Sequence, residues 1–152
     1  MEKSGIWWQP PELSRVHEIC HNSLVEHLGI EVISFDEKSL IGKMPVDHRT
    51  RQPGGVLHGG ASVAFAETLG TWAAVFTVDP STTYCVGMEI NANHLRPVKE
   101  GWVSGSASPI HLGKRTQVWG IEIRDAEERL VCISRLTVAC LEMPSQYGQN
   151  SD

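Results

Sequence analysis

The stretch that decides the fold is His58-Gly59-Gly60-Ala61-Ser62-Val63-Ala64-Phe65-Ala66-Glu67-Thr68-Leu69-Gly70-Thr71-Trp72-Ala73-Ala74-Val75-Phe76-Thr77-Val78. It predicts one long helix over residues 58–78. Apolar residues fall on nearly every side, and Glu67 is its only acid. A helix apolar all round belongs inside a protein. At 1.5 Å per residue it spans about 30 Å, the diameter of a small domain. The rest of the chain must therefore enclose it.

The flanking segments can do so. Ile30 to Phe35 and Ser39 to Met44 read as two strands around the turn Asp36-Glu37-Lys38. Residues 47–55 are polar and carry Pro53, Gly54 and Gly55, so they form a loop. After Pro80 the runs Tyr84 to Arg96, Trp102 to Leu112, Thr116 to Arg124 and Leu130 to Leu141 read as strands, with Asp125 to Arg129 a polar hairpin turn. In the first of these, Tyr84, Val86, Met88, Ile90 and Ala92 alternate along one face, which His94 and Arg96 continue. Upstream, Leu13, Val16, Ile19, Cys20, Leu24 and Leu28 recur at helical spacing, as one short helix or two, closed by Gly29. Strands joined by short turns pair antiparallel. The expected architecture is α+β: one curved antiparallel sheet wrapped around one long central helix. It forms a single domain over residues 1–152, with an irregular N-terminal arm (1–11) carrying Trp7 and Trp8 and a polar C-terminal tail (144–152).

Composition narrows the function. The chain has 152 residues, a net charge of −5 and no basic tail, so nucleic acid is not an expected partner. No run approaches the length of a membrane-spanning helix and the N-terminus lacks a signal-type apolar core, so a cytoplasmic protein without a membrane partner is expected. Cys20, Cys85, Cys132 and Cys140 form no CxxC pair and match no zinc spacing; they read as small buried hydrophobes. His17 and His21 stand at i, i+4 without an obvious third ligand, so no metal is expected.

Glu67 is the first candidate for chemistry. Ala64, Val63, Gly70 and Thr71 occupy the positions three and four residues away, so no intrahelical cation pairs with it. A carboxylate on an apolar helix is costly unless it is solvated in a cleft or has a task. The competing reading is a carboxylate turned outward at a helix edge. Thr71 lies one turn on along the same side. His58-Gly59-Gly60 opens the helix, where the first amides have no intrahelical acceptor. Such a terminus suits a carbonyl becoming an oxyanion, although a glycine pair also serves ordinary packing. Gln52, just upstream, supplies an amide that can orient a thioester or a water.

These segments carry a resemblance. Gln52-Pro53-Gly54-Gly55-Val56-Leu57-His58-Gly59-Gly60-Ala61-Ser62, then Ala64 and Ala66-Glu67-Thr68-Leu69-Gly70, resemble the signature of hotdog-fold acyl-CoA thioesterases of the phenylacetyl-CoA/4-hydroxybenzoyl-CoA thioesterase-like superfamily. The nearest branch is the bacterial one that contains 1,4-dihydroxy-2-naphthoyl-CoA hydrolase and the enterobactin proofreading thioesterase. His27-Leu28-Gly29-Ile30, Met44-Pro45-Val46-Asp47, Val86-Gly87, Asn91-Ala92-Asn93-His94 with Arg96-Pro97-Val98, and His111-Leu112-Gly113 agree with it. The likeness runs from about Leu24 to Leu141.

The resemblance implies hydrolysis of an acyl-CoA, with coenzyme A as part of the substrate and no separate cofactor. It implies that Glu67 is nucleophile or general base and that the Gly59 amide donates to the thioester carbonyl. Gln52 and His58 would orient carbonyl and water, and Thr71 would assist. Val86, Gly87, His94 and Arg96 would line the acyl and pantetheine path. His111, Gly113, Lys114 and Arg115 would meet the CoA nucleotide; the plain alternative for the last two is a solvated basic turn. The branch implies an aryl- or medium-chain acyl group, 1,4-dihydroxy-2-naphthoyl or a hydroxybenzoyl type first, and, for a naphthoyl ester, a place in menaquinone biosynthesis. It also implies a site shared across a homodimer, Glu67 from one subunit and the opening loop from the other. A lone curved sheet leaves an open edge and an exposed face, which favours dimers pairing into homotetramers. Two rivals stand beside this reading: a hotdog enoyl- or hydroxyacyl-CoA hydratase-dehydratase, and a non-catalytic acyl-CoA-binding module.

Overall fold

The structure is a computed structural model that describes residues 5–144. The segment upstream of the long helix is two short helices, α1 (Leu13–Ile19) and α2 (Leu24–His27). Asn22, with φ +57°, breaks the chain between them, and the Ser23 side chain caps α2 by accepting from the Val25 amide. Gly29 follows the C-cap at φ +70°, the left-handed position that closes a helix. Then come β1 (Glu31–Phe35), β2 (Leu40–Val46), α3 (Gly59–Phe76), β3 (Thr83–His94), β4 (Gly101–Leu112), β5 (Thr116–Arg124) and β6 (Leu130–Glu142). The long helix is shorter than expected, because His58 is its N-cap and Thr77 its C-cap. β2 is longer, because Pro45 pairs with Trp102 on β4. The C-terminal tail, apart from Pro144, lies outside the described residues.

All strand pairs are antiparallel, in the order β1-β2-β4-β5-β6-β3. α3 packs on this sheet through Ala61, Ser62, Phe65, Ala66, Leu69, Gly70, Ala73 and Ala74, two positions in every four, which form one stripe. Its closest approach is set by a glycine pair. Gly42 and Gly105 are register partners on β2 and β4. A methyl on Gly42 would sit 2.6 Å from Leu69 Cδ2, and one on Gly105 would sit 2.6 Å from Leu69 Cδ1 and 2.8 Å from Phe65 Cε1. The sheet is bare there so that the Phe65 and Leu69 side chains can fill the space. Gly70 does the reverse, leaving room on the helix for Leu136 of β6.

Polar chains fix the helix lengthwise. Buried Gln117 donates from Nε2 to Thr77 Oγ1 at 2.8 Å and accepts from Trp119 Nε1 at 3.0 Å, joining the C-cap of α3 to β5. The N-terminal arm is tied down as well, contrary to its irregular sequence. Trp7 is buried, donates from Nε1 to Asp36 O at 2.7 Å and stands edge-on to Phe35. The Trp8 amide donates to Phe76 O at 2.8 Å.

Two expectations need correction. Enclosure of α3 is one-sided: Val63, Ala64, Glu67, Thr68, Thr71, Trp72 and Val75 are only half-buried. The alternation of β3 is broken as well. Gly87 pairs with Val138 and Glu89 with Thr137, leaving Met88 as an extra residue. One extra residue moves every later side chain to the other face. Tyr84 and Val86 are therefore exposed while Ile90 and Ala92 are half-buried against the core.

Leu69 is fully buried between the bare glycines and the helix. Leu69→Ala is expected to destabilise the fold by about 2–5 kcal/mol, read as a lower urea midpoint with an unchanged m value.

Candidate active site

The loop between β2 and α3 is built on Thr50, a buried hydroxyl in a polar stretch. Its Oγ1 donates to Pro45 O at 2.7 Å and accepts from the Asp47 amide, and its carbonyl accepts from the His58 amide at 2.8 Å. The Arg49 guanidinium beside Asp47 holds that carboxyl down at about 2. Gln52 opens a tight turn: its carbonyl accepts from the Gly55 amide at 2.9 Å, with Pro53 and Gly54 between.

That loop delivers His58 and Gly59 to the helix opening. The Gly60 amide donates to His58 Nδ1 at 2.8 Å. The Ala61 and Ser62 amides both donate to His58 O. Of the first four helix amides, only that of Gly59 has no acceptor among the described residues. Nδ1 of His58 is thus the acceptor that caps the helix, which leaves Nε2 as the ring nitrogen free to meet a ligand. The His94 imidazole packs on the other side of Gly59: a methyl there would lie 2.9 Å from His94 Nε2. Gln52, Gly59, Ser62, His94 and Arg96 line a cleft of about 260 Å³ at this end of the helix. It gathers four of the residues expected to bind, with His58 beside it.

Glu67 sits elsewhere. It is half-buried and takes part in no ion pair among the described residues. Its carboxylate lies over the β3 backbone at Gly87, where a methyl would fall 2.2 Å from Oε1. It is thus laid against the sheet edge and not turned away from the protein. Thr71 stands one turn on. Eight residues separate Gly59 from Glu67, a rise of about 12 Å, too far for both to touch one carbonyl.

The basic turn lies beyond Glu67, at the C-cap end of α3, where Gly113 and Lys114 border a cleft with Trp8, Thr77 and Val78. Val86 pairs with Ala139, and Ala139 with Thr116, just after Lys114 and Arg115. His111 folds over Gly113, whose amide donates to Thr116 O. Lys114 and Arg115 are exposed. One chain therefore holds the expected residues in two separate groups along β3. Gln52, His58, Gly59, His94 and Arg96 form one; Glu67, lying over Gly87, with Thr71 one turn on, forms the other. Val86 does not join it: neighbouring side chains on a strand face opposite ways, and Val86 is exposed on the outer face of β3. Thr50 and Ser62 were not singled out by sequence reasoning. Thr50 has no signature beyond being one polar residue in a polar loop. The histidines upstream have structural partners: His17 Nε2 meets Val32 O at 3.1 Å, and His21 Nδ1 meets Glu26 at 2.7 Å. The cysteines are buried or half-buried, and burial pushes their thiols up, Cys85 to about 12.

Known proteins resemble this chain in sequence and fold. Residues 54–132 match the profile of the thioesterase superfamily. The chain superposes on a thioesterase from Haemophilus influenzae with a TM-score of 0.89 and 47% identity, covering 93% of this chain and 99% of that one. A variant thioesterase from Pseudomonas aeruginosa gives 0.90 and 46%, covering 91% and 100%. The 1,4-dihydroxy-2-naphthoyl-CoA hydrolase of Escherichia coli is 45% identical over 136 residues, 90% of this chain and 99% of that one. The fold is the hotdog fold of these thioesterases. The chain belongs to the thioesterase superfamily and is a thioester hydrolase.

Proposed function

We propose that the chain cleaves aryl- or medium-chain acyl-CoA to free acid and CoA, with Glu67 as the reacting carboxylate and Gly59 as the carbonyl donor. The observation that carries this is the pairing of one unengaged helix amide, at Gly59, with one unpaired carboxylate, at Glu67, each held in place by the fold. The amide stabilises charge developing on the thioester oxygen. Glu67 either attacks the carbonyl carbon or takes a proton from the water that does. The C–S bond then breaks, and the CoA sulfur leaves as thiolate and gains a proton. Gln52 and His58 orient carbonyl and water, and Thr71 assists at Glu67. His94, Arg96 and Gly87 border the acyl and pantetheine path. Lys114 and Arg115, with His111 and Gly113 shaping their turn, meet the nucleotide phosphates. The thioesterase reading is favoured over a hydratase by the likeness to thioesterases, and over a mere binding module by the unpaired carboxylate at Glu67, for which binding alone has no use.

The rise between Gly59 and Glu67 requires a second copy. β3 is a free edge of 12 residues, the kind of edge that takes up another strand. A twofold centred on Asn91 sets Ile90 opposite Ala92 of the partner subunit. With Met88 taken up as the bulge, Gly87 then comes opposite His94 of the partner subunit. That register joins Glu67 of one subunit to the helix opening of the other, twice per dimer. Two such dimers packing through the exposed sheet face give a tetramer. The enzyme works in the cytoplasm without a cofactor. Among acyl groups the naphthoyl ester is supported by likeness to the Escherichia coli 1,4-dihydroxy-2-naphthoyl-CoA hydrolase, and with that substrate the chain would serve menaquinone biosynthesis.

Glu67→Gln removes nucleophile and base together and is expected to lower kcat by about 10²–10⁴-fold with an unchanged melting temperature. Gly87→Ala should act in the same direction by displacing the carboxylate from its bed. Near-normal thiol release by the purified Gln variant would sink the assignment of Glu67.

The acyl reading is checked by thiol release from benzoyl-, 4-hydroxybenzoyl-, 1,4-dihydroxy-2-naphthoyl- and palmitoyl-CoA, with crotonyl-CoA hydration run beside it. Hydroxylated aryl esters are expected to exceed palmitoyl-CoA in kcat/KM by at least about tenfold, because a buried polar contact discriminates sharply. A preference for palmitoyl-CoA would overturn the aryl reading and leave the thioesterase standing.

A further inference from the structure

Glu67, Thr71 and Val75 follow one another at i, i+4 and i+8, and so run along one side of α3. The first two belong to the proposed reaction. The third lines a separate cavity of about 320 Å³. Trp72, Val75 and Phe76 of α3 form one wall, Val16 and Ile19 of α1 another, and Trp8 of the arm a third. These walls are held. Trp72 and Phe76 lie against each other with ring centroids 5.7 Å apart and planes tilted by 31°. The Trp8 backbone is pinned to Phe76 O, and buried Trp7 anchors the arm behind it. The polar liners Gln9, Glu12 and Arg15 are all exposed.

We infer that this cavity is a distal acyl chamber: it receives the hydrocarbon end of the acyl group whose thioester carbonyl lies at Glu67. The inference rests on the thioesterase reading above. One helical turn, about 6 Å of rise, leads from Thr71 to Val75, so a group lying along α3 from Glu67 enters here. An apolar cavity of about 150 Å³ holds one benzene ring. A chamber of about twice that size takes a fused second ring or a chain of roughly six to eight carbons. Its inner walls, at Val16, Trp72, Val75 and Phe76, are hydrocarbon and indole, while Gln9, Glu12 and Arg15 border its open side, so the inner end favours hydrocarbon over a hydroxyl. The acyl group therefore carries any hydroxyls on the ring next to the carbonyl and bare hydrocarbon beyond. The arm residue Trp8 and Phe76 set its length.

The test uses two variants of the full chain: Val75→Phe narrows the chamber and Trp8→Ala opens it. Thiol release is measured with propionyl-, hexanoyl-, octanoyl- and dodecanoyl-CoA. Val75→Phe is expected to lower kcat/KM for octanoyl-CoA at least about tenfold more than for propionyl-CoA. Trp8→Ala is expected to move the optimum towards dodecanoyl-CoA. Octanoic acid is also titrated against tryptophan fluorescence, with a response expected in the wild type that weakens in Val75→Phe. Equal losses across chain lengths together with no fluorescence response would overturn the chamber, whether or not thioesters are cleaved. A fluorescence response that depends on Val75, without thiol release from any ester, would keep the chamber and overturn the catalytic reading instead. Should Val75→Phe fail to fold, the chain-length optimum of Trp8→Ala decides the question.

Discussion

Everything in this molecule follows from seating one long apolar helix on a sheet. The contact works because β2 and β4 are bare at Gly42 and Gly105, so that Phe65 and Leu69 fill the space between layers. Interiors are close-packed, so side-chain volume at the contact sets how near two layers can come. With the helix that close, its buried stripe is used up on the sheet. The opposite side, from Val63 to Val75, is left half-buried and carries Glu67 and Thr71. The side of α3 to which we assign the reaction is thus the side the fold leaves over.

The same seating separates the parts of the reaction. α3 begins at His94 near the end of β3 and passes Gly87 eight residues later. A straight helix cannot bring its own first amide to its own ninth residue. In the proposed dimer the donor and the carboxylate become neighbours through a twofold, which a free edge strand can supply. The bulge at Met88 has a role in this: it allows Gly87 and His94, an odd number of positions apart, to share the inner face of β3. Without it, a symmetric strand pair could not set those two residues opposite each other on one side.

Much of this was legible in the sequence. The length and composition of residues 58–78 marked the central helix, and alternation with turn residues marked six strands in the right order. The lone acid on that helix and the HGG opening single out Glu67, which the structure lays half-buried over Gly87, and Gly59, whose amide has no acceptor among the described residues. Other features were not legible, for physical reasons. A period-two pattern cannot show where one residue slips, so Tyr84 and Val86 were put on the face of Ile90 and Ala92. Gly42 and Gly105 are distant in sequence, and their use depends on a register that only the folded sheet has. Trp7 and Trp8 sit among prolines and read as irregular, although hydrogen bonds to Asp36 and Phe76 fix them. Thr50 organises the loop before His58 through backbone partners that leave no pattern in the chain.

The central claim is that each site is completed by two copies of the chain. It is tested by mixing two inactive variants, Glu67→Gln and Gln52→Ala, after unfolding and refolding them together. Each mixed dimer then holds one site with both wild-type parts, and random pairing makes half of the dimers mixed. The expected result is recovery of about a quarter of wild-type thiol release from two preparations that are inactive alone. Activity that stays at the level of the separate variants, with mixed dimers demonstrated by mass spectrometry, would contradict the account.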